Sequence, residues 1–193
     1  MMEATIGTAQ ASLARRALSR PAPPLTGLAL LCAGYKENTN KINEFSLVVA
    51  DTKTGLLLAN SRGQPHRRSY WSHDDGNTWS KPEESALKDS VNQHNHGCEA
   101  SIINVHDKLF FFNPSGQGHD ARTNMVVRCS LDGGVTWPHS YPVTETMDGG
   151  YSDMIQVVNA KNNILLLAWG YADVASNTRN IHLEHIDINW CKE

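Results

Sequence analysis

The sequence predicts an all-β protein assembled from repeated four-stranded units, on three observations. From Asn43 onward, short runs of β-branched, aromatic and apolar residues alternate with turn residues. The octapeptide Ser72-His73-Asp74-Asp75-Gly76-Asn77-Thr78-Trp79 is answered 58 residues later by Ser130-Leu131-Asp132-Gly133-Gly134-Val135-Thr136-Trp137, and both read Ser-x-Asp-x-Gly-x-Thr-Trp. The strands so marked fall into sets of four, each about 50 residues long, which is the size of one β-propeller blade.

The first segment stands apart. Residues 1–40 are read as a leader, disordered or weakly structured, and 41–193 as the propeller blades. Met1 to Pro24 is rich in Ala, Ser, Arg and Pro, with Glu3 its sole acid. That composition resembles a transit peptide, but Pro21, Pro23 and Pro24 end any helix early. The first set of strands is expected at Phe45–Ala50, Leu56–Ser61, Arg67–Ser72 and Trp79–Pro82. The second is expected at Glu99–Val105, Lys108–Asn113, Asn124–Ser130 and Trp137–Val143. A third begins with Ser152–Val158, Ile164–Trp169 and Ile181–Ile188, giving two nearly whole blades and most of a third. Propellers close with typically about 4–8 blades, so such a set leaves open edges through which the chain could self-associate, unless further blades complete it. In each repeated turn, Asp accepts backbone N–H groups, Gly supplies the positive φ, and Trp folds back as an apolar plug.

Composition excludes several classes of function. Seventeen basic and 20 acidic residues give a formal charge of −3, which argues against a nucleic-acid partner. No apolar run approaches the roughly 20 residues of a transmembrane helix. Four cysteines, Cys32, Cys98, Cys129 and Cys191, are too scattered for a disulfide framework or a CxxC metal site, and are read as buried free thiols. His94, His96 and Cys98 lack a second ligand pair at zinc spacing, and Asp74-Asp75-Gly76 lacks the late bidentate Glu of a calcium loop.

Strand parity sorts the remaining candidates. In an up-and-down blade, the start of strand one, the end of strand two and the start of strand three share one rim. Glu44 precedes a first strand, Arg62 follows a second, Arg122 precedes a third and Tyr151 precedes the next first strand, so all four are expected on one rim. The Asp-containing turns join strands three and four and belong to the opposite rim, as scaffold.

At this point the residues resemble the sialidases (neuraminidases), closest to the exo-α-sialidases with a six-bladed propeller. The Ser-x-Asp-x-Gly-x-Thr-Trp turns look like that family's Asp boxes, with Ser72, Asp74, Gly76 and Trp79 in the first and Ser130, Asp132, Gly134 and Trp137 in the second. Asn43-Glu44-Phe45 followed by Asn60-Ser61-Arg62 resembles the family's Asn-Glu segment and later Asn-x-Arg. Phe111 to Pro114 with Arg122-x-Asn124-Met125, then Gly150-Tyr151-Ser152-Asp153, resembles the segment with a further site arginine and the Tyr nucleophile. The resemblance spans about residues 40 to 190 and implies about three C-terminal blades of a catalytic propeller. It implies removal of terminal sialic acid from glycoproteins, glycolipids or oligosaccharides, with no cofactor or metal, in a lysosomal, membrane-associated, cytoplasmic or secreted setting.

Those residue types suit that chemistry. Sialic acid carries a carboxylate on its anomeric carbon, which the bidentate fork of Arg62 and Arg122 would grip. A carboxylate nucleophile would be repelled by that charge, which rationalises a neutral Tyr such as Tyr151. A phenol with pKa near 10 needs an adjacent base, the role the resemblance gives to Glu44. The family's first carboxylate-binding Arg and its Asp acid have no counterpart in residues 1–40, and a late Glu of the family falls here at Ala168 or Trp169. The chain alone is therefore expected to hydrolyse weakly or not at all. The rival reading is a non-catalytic sialic-acid-binding module, and a third is a fragment with no stable fold.

Each candidate also has a plainer reading. Glu44 can be a solvated turn residue, Arg62 part of a basic surface loop with His66, Arg67 and Arg68, Arg122 a solvated loop cation and Tyr151 a hub-packing aromatic. Glu99 is read as a rim residue near ligand.

Overall fold

In the computed structural model, the described residues are 42–63, 67–81, 83–87, 97–116, 122–145, 149–158, 163–173 and 178–192. The leader expected over 1–40, and the His94–His96 segment, lie outside them. Eleven strands form three antiparallel sheets among these residues. The first holds β1 (Ile42–Asp51), β2 (Leu56–Gly63), β3 (Arg68–Ser72) and β4 (Glu83–Glu84), in that order. The second holds β5 (Ser101–Val105), β6 (Lys108–Pro114), β7 (Met125–Ser130) and β8 (His139–Pro142). The third holds β9 (Ser152–Val158), β10 (Asn163–Asp173) and β11 (Thr178–Asp187), closed by a 3-10 turn over Ile188–Trp190. Each sheet is an up-and-down meander, and the first strands adjoin: β1 lies against β5, and β5 against β9. This is the blade arrangement of a propeller, of which the chain forms a part.

Strand β6 explains why the sheets stack. Lys108-Leu-Phe-Phe-Phe-Asn-Pro114 is buried from Leu109 to Pro114, so its apolar run has no polar alternation. Leu109 and Phe111 pack into one core with Ala50, Leu58 and Ile102, between the first and second sheets. Phe110 and Phe112 point the other way, into a core with Met154, Leu165, Leu167, Trp169 and Ile186 between the second and third sheets. Edge-to-face rings tighten both cores, with Phe111–Trp137 at 5.9 Å and Phe112–Trp169 at 5.8 Å between centroids. Polar ties cross the same seams. Asn104 Nδ2 donates to the Val49 carbonyl at 2.8 Å, Thr52 Oγ1 to Asp107 at 2.6 Å, and Ser152 Oγ to the Phe112 carbonyl at 2.9 Å.

The repeated turns use one hydrogen-bond plan. Gly76 N–H donates to Ser72 Oγ at 2.9 Å, and Gly134 N–H to Ser130 Oγ at 3.0 Å. Asp74 accepts from Thr78 N–H at 2.8 Å and Thr78 Oγ1 at 2.7 Å, and Asp132 accepts from Thr136 N–H at 2.9 Å and Thr136 Oγ1 at 2.6 Å. Each Trp indole closes the turn on a Gly carbonyl, Trp79 on Gly76 and Trp137 on Gly134, both at 3.1 Å. Two consecutive residues adopt positive φ in each turn, Asp75 and Gly76 in one and Gly133 and Gly134 in the other, where a single such position was expected. The second turn also seats on the first sheet, because Trp71 Nε1 donates to the Gly133 carbonyl at 3.2 Å.

Three expectations are corrected. The fourth strand of the first sheet is Glu83–Glu84 rather than Trp79–Pro82, because Trp79 is committed to closing its turn. Arg67 is fully buried rather than part of a basic surface loop, with Nε on Asn60 Oδ1 at 2.5 Å, Nη1 on the Cys98 carbonyl at 2.8 Å and its guanidinium 4.9 Å from the Phe111 ring centre. Cys129 and Cys191 are joined as a disulfide rather than left as free thiols, while Cys98 is buried and takes no part in a disulfide. That bond ties the turn after β11 to β7, beside Trp190, whose ring meets Phe110 edge-on.

Two stability predictions follow from this geometry. A Cβ at Gly134, where φ is +91°, would lie 2.4 Å from Leu58 Cδ2, whereas one at Gly55, where φ is +75°, meets open space. Gly55→Ala is expected to cost about 1–2 kcal/mol from left-handed strain, and Gly134→Ala roughly 3 kcal/mol because overpacking is added. Urea denaturation compares them, and equal losses would contradict the packing of this turn on β2. The disulfide closes a separation of 62 residues, worth about 4 kcal/mol in the chain-entropy account. A reductant should therefore lower the melting temperature of the parent chain and leave that of a Cys129→Ala, Cys191→Ala double variant unmoved.

Candidate active site

Antiparallel register carries Glu44 and Arg62 to the same end of the first sheet. Phe45 pairs with Ser61 and Ile42 with Gly63, so the residues flanking these pairs face each other across β1 and β2. The repeated turn starting at Ser72 sits at the other end, where Ser72 pairs with Leu57. In the second sheet, Arg122 lies before β7 at the Met125–Pro114 end, and Ser130 pairs with Leu109 at the far end. Tyr151 immediately precedes β9. The four candidates thus occupy one rim and the repeated turns the other.

The structure brings all four together. Glu44 is bound at both carboxylate oxygens: Oε2 accepts from Arg62 Nη1 at 2.6 Å, and Oε1 accepts the Tyr151 hydroxyl in a short hydrogen bond. The Arg122 guanidinium lies over the Tyr151 ring, 5.7 Å from its centre. Glu44 is therefore no solvated turn residue, although the site stays open, with Tyr151 53% exposed.

Electrostatics follow from these contacts. Burial alone would raise the Glu44 pKa, but the hydrogen bonds from Tyr151 and Arg62 and the charges of Arg62 and Arg122 outweigh it and hold the carboxyl below its ordinary range. Burial would lower the Arg62 pKa, but its bond and attraction to Glu44 raise it on balance. The Tyr151 phenol is pushed above its ordinary value, first by its hydrogen bond to the Glu44 carboxylate and then by partial burial. The phenol at rest is thus neutral and the carboxylate ionised, so the carboxylate is placed to accept the phenol proton. Because Glu44 is depressed, its ion pair contributes stability above the usual carboxylate range, and that contribution is lost as pH falls through the lowered pKa.

The backbone around Tyr151 is held from several sides. Gly149 N–H donates to the Arg122 carbonyl, which links the two loops directly. The Tyr151 carbonyl accepts Gly170 N–H at 3.0 Å. Glu99, read from sequence as a rim residue, is half-buried and accepts Ser152 N–H at 2.8 Å. The cleft beside Tyr151 is lined by Ser46, Glu99, Ser101, Asp153 and Trp169. Gly170 and Ser152 were not singled out in the sequence, because a backbone donor and a strand-opening Ser carry no residue-type signal. Among the described residues, no group of three His, Cys, Asp or Glu side chains is placed to hold a metal, and no helix is long and apolar enough to cross a membrane.

Residues 32–164 match the family of BNR repeat-like domains. A sialidase from Bacteroides fragilis (strain YCH46) is 34% identical over 129 residues, covering 60% of this chain and 22% of the relative. Among solved structures, the leech intramolecular trans-sialidase complexed with 2,7-anhydro-Neu5Ac superposes with a TM-score of 0.59 at 19% identity, over 76% of this chain and 24% of that one. The Hadza microbial sialidase Hz136 gives 0.56 at 22% identity, over 77% and 28%. The NanB sialidase of Streptococcus pneumoniae gives 0.57 at 19% identity, over 76% and 23%. These superpositions establish the shared fold. The chain spans between 22% and 28% of the length of these relatives.

The Tyr151–Glu44 bond makes a prediction of defined sign. Glu44→Gln removes the carboxylate that favours the neutral phenol but leaves the Arg62 and Arg122 cations beside it, so the Tyr151 pKa is expected to fall. Phenolate absorbance, titrated against a Tyr151→Phe reference, reads the shift. An unchanged or higher value would mean that Glu44 does not control this phenol.

Proposed function

Because the chain belongs to the family of BNR repeat-like domains and is similar to a sialidase, we propose that its rim is the nucleophile half of a retaining exo-α-sialidase site. The observation that carries the proposal is the bond from the Tyr151 hydroxyl to a Glu44 carboxylate already paired with Arg62. In this reading Arg62 and Arg122 bind the sugar carboxylate and set the anomeric carbon before the phenol. Tyr151 oxygen attacks that carbon, Glu44 takes the phenol proton, and the aglycone oxygen leaves with a proton from an acid. Water then attacks the same carbon, giving its proton to the conjugate base of that acid, and the Tyr151–carbon bond breaks as Glu44 returns the proton to the phenol. Ionising the phenol only as it attacks avoids holding a phenolate beside an anionic substrate.

The sequence carries no match to the family's proton-donating Asp loop or first site Arg, so the isolated chain is proposed to turn over natural sialosides weakly or not at all. Proton donation to the leaving oxygen is typically worth about 10²–10⁴-fold. The partner is a sialylated glycan, and the transferred group can pass to water or to another acceptor. A sialic-acid-binding module without turnover is the second reading, supported by the two rim arginines, Arg62 and Arg122, which can grip a carboxylate without any bond being cleaved. Self-association belongs to either reading, because Phe45, Leu47 and Val49 on β1 and Ile181 and Leu183 on β11 form exposed apolar rows.

A sialyl fluoride separates the two readings, because fluoride leaves without acid assistance. With a 2,3-difluorinated sialyl fluoride, intact-mass and peptide analysis should find one sialyl adduct, on Tyr151. The adduct should be absent in Tyr151→Phe, and its formation should slow by about 10²–10⁴-fold in Glu44→Gln. A fluorogenic sialoside should show no measurable turnover by the purified 193-residue chain. Sialic acid binding that is lost in Arg122→Ala, with no adduct, would favour the binding module; neither binding nor adduct would sink both.

A further inference from the structure

We propose that Glu99 is a positioning residue for Tyr151: by accepting Ser152 N–H, it fixes the backbone from which the phenol reaches Glu44. This role rests on the reading of Tyr151 as the nucleophile.

The need for such a group arises from topology. Strand β9 is the edge of its sheet, paired only with β10. Backbone donors on its other side need partners from outside the sheet. At Ser152 that partner is Glu99 Oε2, at 2.8 Å, reaching across from the segment before β5. The same serine sends its Oγ to the Phe112 carbonyl at 2.9 Å, so the residue after Tyr151 is held twice by the second sheet. On the other flank, the Tyr151 carbonyl is held by Gly170 N–H at 3.0 Å. Gly150 approaches so closely that a Cβ there would lie 2.9 Å from the Gly170 carbonyl oxygen. Of these restraints, the Glu99 bond is the one made by a titratable side chain.

Glu99 is itself held in place. The carbonyl of Cys98 accepts Arg67 Nη1 at 2.8 Å, and Arg67 is buried over Phe111. The path therefore runs from the first sheet through Arg67 to Cys98 and Glu99, then to Ser152 and Tyr151, and back to the first sheet at Glu44. Charged groups surround Glu99 from three elements: Arg67 before β3, Glu44 on β1 and Asp153 on β9. Burial raises its pKa, with Glu44 and Asp153 adding to the rise, against the Ser152 N–H bond and the Arg67 charge. A carboxylate accepts an N–H more strongly than the protonated acid or an amide does. The restraint on Tyr151 should therefore tighten as pH rises through the elevated Glu99 pKa, which distinguishes it from mere packing.

Three measurements on the whole chain test this. Sialyl fluoride labelling of Tyr151 should slow by about 10-fold or more in Glu99→Ala, the scale of an ångström-level misplacement, while sialic acid affinity changes much less. Glu99→Gln keeps an acceptor oxygen and should retain most of the rate, but lose the step in the pH profile assigned to Glu99. The Ser152 amide resonance should titrate with Glu99 in the parent chain and stay flat in Glu99→Gln. With urea unfolding showing the variants folded, labelling of Glu99→Ala at the parent rate would overturn the proposal. If the parent chain itself were not labelled, the reading of Tyr151 as nucleophile would fail, and the proposal with it. The amide titration reads the Glu99–Ser152 contact in either case, and a Ser152 amide indifferent to Glu99 would refute the contact on which the proposal depends.

Discussion

Burial of β6 on both faces is the constraint on which the other features depend. A strand whose two faces are both apolar cannot sit at a surface, so sheets must cover it from each side. Leu109 and Phe111 recruit the first sheet, and Phe110 and Phe112 the third. Glu44 and Tyr151 are 107 residues apart and belong to different sheets, yet they are hydrogen-bonded because the second sheet spaces their carriers. The site is thus a property of a stack, and any loss of packing along β6 is transmitted to it.

Polar groups at the seams refine what the apolar core sets coarsely. Arg67 has no exposed surface, and it joins Asn60 in the first sheet to Cys98 before the second. A buried guanidinium is tolerable only with such partners, since an uncompensated charge in the interior is costly. Ser152 and Glu99 perform the equivalent task between the second and third sheets. Hydrogen bonds are directional where apolar contact is not, so these groups convert approximate stacking into a defined position for the phenol. Glu44 then receives two donors at once, one from each side of the rim.

The two ends of the sheets differ in how their polar groups are satisfied. At one end the Ser-x-Asp-x-Gly-x-Thr-Trp turns satisfy their own backbone with Ser, Asp and Thr side chains and cap the sheets with Trp. Their carboxylates face hydroxyls and N–H groups, which lower the pKa of Asp74 and, against the effect of burial, that of Asp132. At the other end the charges are unlike and close, and Tyr151 remains accessible. The same strands thus carry a self-satisfied rim at one end and a charged, accessible rim at the other.

Much of this was legible in the amino-acid sequence because it is local. Period-two patterning and turn residues placed the strands to within a few positions, and the duplicated Asp turn set the blade length. Strand parity alone put Glu44, Arg62, Arg122 and Tyr151 on one rim, since the direction of each strand in a meander follows from counting. What the sequence could not determine is long-range pairing. The side chain of Arg67 reads as a surface cation until the Cys98 carbonyl and Phe111 are seen around it. Cys129 and Cys191 read as separate thiols until β7 and the end of β11 meet. Glu99 reads as a rim acid until Ser152 offers it a backbone N–H, because a donor left over at a sheet edge exists only once the sheets have packed.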